Sequence, residues 1–265
     1  MKKNKTIFRV ILTIAIVLLV CGLGYICWYL FNIYTSGHEY ENLQQPTNSP
    51  TEKATESTAA TGDTPDAPPD NVAPKEVHDT VNGSINFTKL WEINTDLYAW
   101  IKIPNTAIDY PVAQYSGDDD SYYLNHNMYK ESAFAGCIYT EKLNKKDFSD
   151  PNTVLYGHNM QNGSMFADVV NFINEDYFDS HRYGWLTTEE SVYRIEFFSV
   201  SQPQSYSGVY NVLRAGDKWL AKLKSCSLIY RNPDIGEDDP MISLSTCTGS
   251  EGSSRTVLTG KLIEV

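Results

Sequence analysis

Histidine is scarce in this chain: His38, His78, His126, His158 and His181 are the only five. Metal-ligand spacings are missing too. There is no CxxC pair, no HExxH and no other clustered ligand set, which argues against a structural or catalytic zinc. Basic residues are few and unevenly placed. Lys2, Lys3, Lys5 and Arg9 precede a long apolar run, so the rest of the chain carries 33 acidic residues against 17 basic ones (21 less those four), a balance of −16. A nucleic-acid partner needs a basic footprint that such a chain does not offer. The acidity fits a basic or amine-bearing partner, although by itself it implies no more than solubility. Cysteine is limited to Cys21 and Cys27 inside the apolar run and Cys137, Cys226 and Cys247 beyond it. An odd number with no framework spacing leaves at least one free thiol to explain.

The apolar run itself is conspicuous. From Val10 to Leu30 no residue is charged, and a helix rising about 1.5 Å per residue over that stretch spans a hydrocarbon core of roughly 30 Å. Tyr25, Trp28 and Tyr29 stand at its outer end and the four basic residues at its inner end. This predicts a single-pass anchor over 10–31 in the cell membrane, with a basic tail of 1–9 inside and the remainder outside. A cleaved signal peptide is the rival, but the bulky "YLFNIYTSG" that follows offers no small-residue cleavage site. Residues 32–83 then change character. Between about 36 and 82 they hold six of the twelve prolines and a single aromatic residue, Tyr40. Such a stretch has too little apolar surface to offset ordering entropy, and predicts a disordered tether spanning roughly 35 Å.

A globular domain is expected over 84–265. "INFTKLWEINTDLYAWIKI" opens it with one or two short helices. Strand signals follow in "YAWIKIP", "AIDYPVAQ", "AGCIYTE", "NTVLYGHN", "VYRIEFFSVSQ", "MISLSTC" and "RTVLTGKLIEV". Each is short, β-branched or aromatic, and bounded by turn residues. "AGDKWLAKLKSCSLIY" places Trp219, Leu220, Leu223 and Cys226 (or Ser227) on one helical face, and "GSMFADVVNFINEDYFDSH" suggests another helix. Seven or more strands with few helices make the domain mostly β, a barrel or a sandwich.

Two strands end in a reactive side chain: His158 after Gly157, and Cys247 at the close of "ISLSTC". Strand ends share a rim in a barrel, so residues 89 apart can become neighbours. A nearby imidazole or cation raises the thiolate fraction of a thiol. An imidazole can also protonate a leaving amine, and a positioned guanidinium can hold a developing oxyanion. Arg255 opens the last strand after "TGSEGSS" and can return to the same rim. Taken singly, Cys247 reads as a packed thiol, His158 as a loop residue and Arg255 as a solvated cation; their conjunction favours chemistry. Cys137 and Cys226 read as core residues, His126 and His181 as structural ones.

"NTVLYGHNMQNGSMF" and "MISLSTCTGSEGSSR", with "DLYAWIKIPNTAIDYPVAQ" and "YYLNHNMYKESAFAGCIYTE", resemble the sortases, cysteine transpeptidases of Gram-positive surfaces. The order anchor, tether, domain and the helix-bearing insertion before the penultimate strand are most similar to class B. The resemblance implies an eight-stranded β-barrel in which Cys247 is the nucleophile, His158 the general acid/base and Arg255 the oxyanion-stabilising cation. It also implies a sorting-signal groove lined by Leu124, Tyr156, Ser245 and Thr246, with Tyr206 and Tyr210 of the insertion facing the peptide. The implied substrates are surface proteins bearing a C-terminal sorting signal, cut after Thr through a thioester and transferred to a cell-wall cross-bridge amine. No metal or organic cofactor is required by that chemistry. A non-catalytic tethered binding module and a peptidase releasing substrate to water are the competing readings.

Overall fold

The computed structural model describes residues 2–38, and 85–265 apart from 205, 214–215, 233, 237–238 and 248–253. Helix α1 (Lys2–His38) contains the stretch Leu12–Phe31, whose mean hydropathy of 2.4 makes it long and apolar enough to cross a membrane. The helix runs on to His38, into the stretch expected as tether; residues 39–83 of that expectation lie outside the described residues.

The domain opens with α2 (Phe87–Ile93), started by Asn86, whose side chain accepts from the Lys89 amide at 3.0 Å. Phe87 and Leu90 turn inward. Nine strands follow: β1 (Leu97–Lys102), β2 (Asp109–Ala113), β3 (Ile138–Tyr139), β4 (Asn152–Tyr156), β5 (Tyr183–Thr187), β6 (Val192–Ser201), β7 (Ser227–Tyr230), β8 (Met241–Cys247) and β9 (Arg255–Glu264). Eight of them close a ring in the order β5, β1, β2, β3, β4, β8, β9, β6, with the β5–β6 pairing sealing it. β6 is long enough to pair β5 along its first half and β7 along its end, so β7 hangs outside the closed barrel. A closed ring removes the unpaired edges that an open sheet must protect.

Period-2 alternation sets which residues fill it. Ile242 and Leu244 of β8, Leu155 of β4 and Leu258 of β9 join the main core with Ile101, Ile103 and Phe197. The alternate positions Met241 and Val257 belong to a second cluster with Phe198, Val209, Trp219 and Leu223. That cluster is the seat of α4 (Asp217–Cys226), which lies in the β6–β8 insertion and turns Trp219 and Leu223 inward.

β5 and β7 were not anticipated from the sequence. β7 occupies the end of the apolar run assigned to the insertion helix: α4 closes at Cys226 and Ser227 starts a strand. The other expected helix divides into a 3-10 stretch over Ala167–Ile173 and the short α3 (Glu175–Ser180).

Candidate active site

Three adjacent strands meet at one rim of the barrel. β4 and β8 run parallel in unbroken register from Asn152↔Met241 to Tyr156↔Ser245. The Gly157 amide donates to the Ser245 carbonyl at 3.1 Å, carrying the ladder one step past β4. One step further brings His158 level with Cys247. On the other side β8 and β9 pair antiparallel, and their last pair is Cys247↔Arg255. The backbone thus sets His158, Cys247 and Arg255 side by side at the ends of neighbouring strands. Alternation along β8 places Cys247 on the face that carries Ser245 and opposite the face of Leu244. The Cys247 side chain and the loop 248–253 lie outside the described residues.

His158 is half-buried and firmly held. Its Nε2 lies 2.9 Å from the Leu124 carbonyl, which can only accept, so that nitrogen carries the proton. Leu124 itself closes the 3-10 turn Tyr122–Leu124. The exposed ring of Phe134 stacks on the imidazole with centroids 6.0 Å apart and planes 10° from parallel. The His158 carbonyl accepts from the Phe166 amide at 2.9 Å, closing a tight loop behind it. Gly157 is required there for space: a Cβ would come within 2.5 Å of Ile138 Cδ1 and 2.8 Å of the Phe166 ring.

Beside this rim runs an aromatic wall. Tyr156 stacks on Tyr139 at 5.4 Å and on Tyr210 at 6.4 Å, and Tyr210 Oη shares a hydrogen bond with Ser245 Oγ at 3.1 Å. Burial and the nearby Glu141 carboxyl push the Tyr156 phenol well up, as burial, Glu141 and Asp119 do for Tyr139, against which the charge of Arg255 pulls down. Arg255 therefore acts electrostatically on the same wall. Glu141 is raised by burial and Asp120, with a hydrogen bond to Tyr156 opposing.

Of the residues expected in a groove, Leu124, Tyr156 and Ser245 gather at this rim, and Tyr210 joins them from the insertion. Thr246 does not. Its side chain is buried on the Leu244 face, away from that of Cys247. Tyr206 is exposed to solvent. The sequence reading missed Phe134, Tyr139 and Glu141; Tyr139 stands as the one aromatic residue of the strand signal "AGCIYTE", whereas nothing local marks Phe134.

The other thiols are poorly placed for chemistry. Cys137 is buried under β3 with its Sγ 3.8 Å from the Pro111 carbonyl. Burial pushes the Cys226 thiol up, and its Sγ lies 3.2 Å from the Leu223 carbonyl. His126 stacks on Tyr122 and His181 on Tyr177, each with Nδ1 2.8 Å from that tyrosine's carbonyl. Among the described residues no group of three or more His, Cys, Asp or Glu could hold a metal ion.

A sortase-domain profile matches residues 101–263. The chain belongs to the sortase family. It is 33% identical over 191 residues to sortase B of Listeria monocytogenes, covering 69% of this chain and 77% of that one. Sortase B of Clostridium perfringens superposes with a TM-score of 0.60 at 34% identity, covering 67% of this chain and 100% of that one. A sortase B–substrate complex from Staphylococcus aureus gives a TM-score of 0.64 at 25% identity, covering 72% and 91%. This sortase is therefore of class B, and a cysteine transpeptidase.

Proposed function

We propose that this sortase cleaves C-terminal sorting signals of surface proteins after Thr and transfers them to a cell-wall amine, with Cys247 as nucleophile, His158 as general acid/base and Arg255 as oxyanion partner. The observation that carries the reading is the register: continued two residues past the end of β4, it brings His158 level with Cys247 at the end of β8, and Cys247 pairs with Arg255 at the start of β9. Elimination supports it as well. A cysteine transpeptidase needs one reactive thiol, Cys21 and Cys27 lie in the apolar helix, Cys137 is in the core, and Cys226 is raised by burial.

The steps follow from the chemistry of the groups. The Cys247 proton passes to His158, and the thiolate attacks the Thr carbonyl carbon. Arg255 faces the oxyanion that forms. His158 returns its proton to the departing amine as the C–N bond breaks, leaving a thioester on Cys247. An incoming amine adds to the thioester while His158 takes its proton, and the thiolate leaves. The wall of Leu124, Tyr156, Ser245 and Tyr210 is the peptide groove in this reading, and Thr246 contributes its backbone position in β8. Helix α1 is the membrane anchor, with Lys2, Lys3, Lys5 and Arg9 on the inner side and the barrel outside.

The test is cleavage of a quenched peptide containing Pro-x-Thr by the whole chain in detergent micelles, with and without a glycine or diaminopimelate amine. Cleavage with amine adducts is expected, and none by Cys247→Ala. Retained cleavage in that variant would remove Cys247 from the mechanism. Release to water alone, with no adduct under any amine, would make the enzyme a peptidase.

A further inference from the structure

The loop pair at the His158 rim does more than border a groove. Residues 122–125 and 133–137 are tied together: the Ala133 amide donates to the Asn125 carbonyl at 2.9 Å, and the Cys137 amide to the Tyr123 carbonyl at 2.9 Å. Between these ties the chain turns, with the Gly136 amide bonded to the Ala133 carbonyl at 3.2 Å and Phe134 at the tip. Gly136 has φ +61°, and a Cβ there would lie 2.6 Å from the Leu124 oxygen and closer still to that of Tyr123. Only glycine lets the turn sit this close while the Leu124 carbonyl still meets His158. One unit therefore carries both the acceptor for Nε2 and a ring set nearly parallel to the imidazole, 6.0 Å away between centroids.

Phe134 is 54% exposed. A phenyl ring left that open is poorly explained as core packing, and the ring it lies parallel to is that of His158. Its other aromatic neighbour is Tyr29 of α1, edge-on at 6.4 Å.

We propose that Phe134 is a positioning residue for His158, acting with the Leu124 carbonyl as a two-sided clamp that fixes the neutral imidazole as the Nε2–H tautomer and makes Nδ1 the proton-exchanging atom. The proposal rests on His158 being the acid/base of the reaction. The proton from the Cys247 sulfur goes to Nδ1 and leaves from Nδ1 to the departing amine, while the other proton stays on Nε2, donated to the Leu124 carbonyl throughout. Both transfers use one nitrogen, so the ring need not rotate between them. A ring free to tilt or flip would misplace that nitrogen in both half-reactions.

The experiment uses the whole chain in detergent micelles with the quenched Pro-x-Thr peptide. Phe134→Ala is expected to lower kcat about 10- to 100-fold, the scale of a misaligned catalytic group, while KM moves by about twofold or less. Phe134→Tyr restores kcat because it restores the stack. Tyr29→Ala leaves kcat unchanged. In parallel, imidazole 15N spectra of the wild type show His158 as the Nε2–H tautomer, and Phe134→Ala shows averaging between tautomers. The proposal is overturned if Phe134→Ala raises KM alone, since Phe134 then merely walls the peptide. It is also overturned if Tyr29→Ala reproduces the loss, or if the wild-type ring is the Nδ1–H tautomer. The spectra need no turnover, so they judge the clamp separately. Cleavage retained by Cys247→Ala or His158→Ala would instead sink the catalytic assignment.

Discussion

Arg255 and Gly157 show how single side chains govern this rim in opposite ways. Arg255 is the cross-strand partner of Cys247 and is half-exposed, so it contributes little to folding and much to charge. Arg255→Ala should lower kcat/KM about 10²- to 10³-fold, the cost of losing one oxyanion contact, with the melting temperature unchanged. Arg255→Lys should recover little, because a point charge does not reproduce a planar fork of donors. Steady-state kinetics on the same peptide, beside thermal melts, check both. Gly157 contributes by having no side chain. A Cβ would press on Ile138 and Phe166, both in the core, so Gly157→Ala should cost about 1–3 kcal/mol through overpacking. It should also displace His158, so activity falls more than stability alone explains. Normal activity in a stable Gly157→Ala protein would show that the rim tolerates movement there.

At the scale of elements, the corner between α2 and β1 is what secures the clamp-bearing loops. Asn94 Nδ2 donates to Tyr123 Oη at 2.7 Å and to the Met128 carbonyl at 2.9 Å. Tyr123 Oη donates to Asp96 Oδ2 at 2.9 Å, and Lys130 Nζ lies 3.0 Å from the same oxygen. Burial alone would raise the Asp96 carboxyl, but hydrogen bonds from Lys130, Tyr123 and Ser116 outweigh it and hold the group below its ordinary value. A carboxyl depressed in the folded state stabilises above its unfolded pKa of about 3.9 and loses that contribution as pH falls through the folded value. Asp96→Asn should therefore destabilise by about 1–3 kcal/mol near pH 7, where Lys130 is left without its acceptor charge. The gap to wild type should narrow in urea melts taken below pH 4. A gap that stayed constant with pH would mean that the carboxyl's charge contributes nothing.

Elements also show where the sequence could be read and where it could not. β1, β4, β8 and β9 are legible because alternation and bounding turn residues mark each locally. β7 is not, because Leu228 and Ile229 prolong the apolar pattern of α4 and only pairing with β6 makes Ser227 a strand residue. β5 has five residues and becomes a strand by lying between β1 and β6. His158, Cys247 and Arg255 stand out as reactive types at strand ends. The Leu124 carbonyl cannot, since a main-chain oxygen has no sequence signature, and Phe134 reaches His158 only because backbone hydrogen bonds tie its turn to residues 123–125. Thr246, next to Cys247 in sequence, lies on the opposite face of the strand and is buried.

At the scale of the whole molecule, the barrel closes without help from α1. Its ring is completed by β5–β6 and β6–β9, and every strand lies between Leu97 and Glu264. The main core likewise draws no residue from the apolar helix, whose stretch Leu12–Phe31 is unburied. Folding and membrane attachment should therefore separate. A fragment beginning at residue 85 is expected to melt within a few degrees of the whole chain and to cleave soluble peptide with the same kcat/KM. The whole chain should float with lipid vesicles on a density gradient while the fragment stays at the bottom. Attachment would then act on the reaction by placing the enzyme rather than by changing it: held at a surface, enzyme and membrane-bound substrate share a thin layer, and effective concentration replaces affinity. With a substrate protein and the whole chain in the same vesicles, turnover at equal bulk concentration should exceed that of the fragment. Equal turnover by the two forms would mean that α1 contributes nothing to substrate encounter.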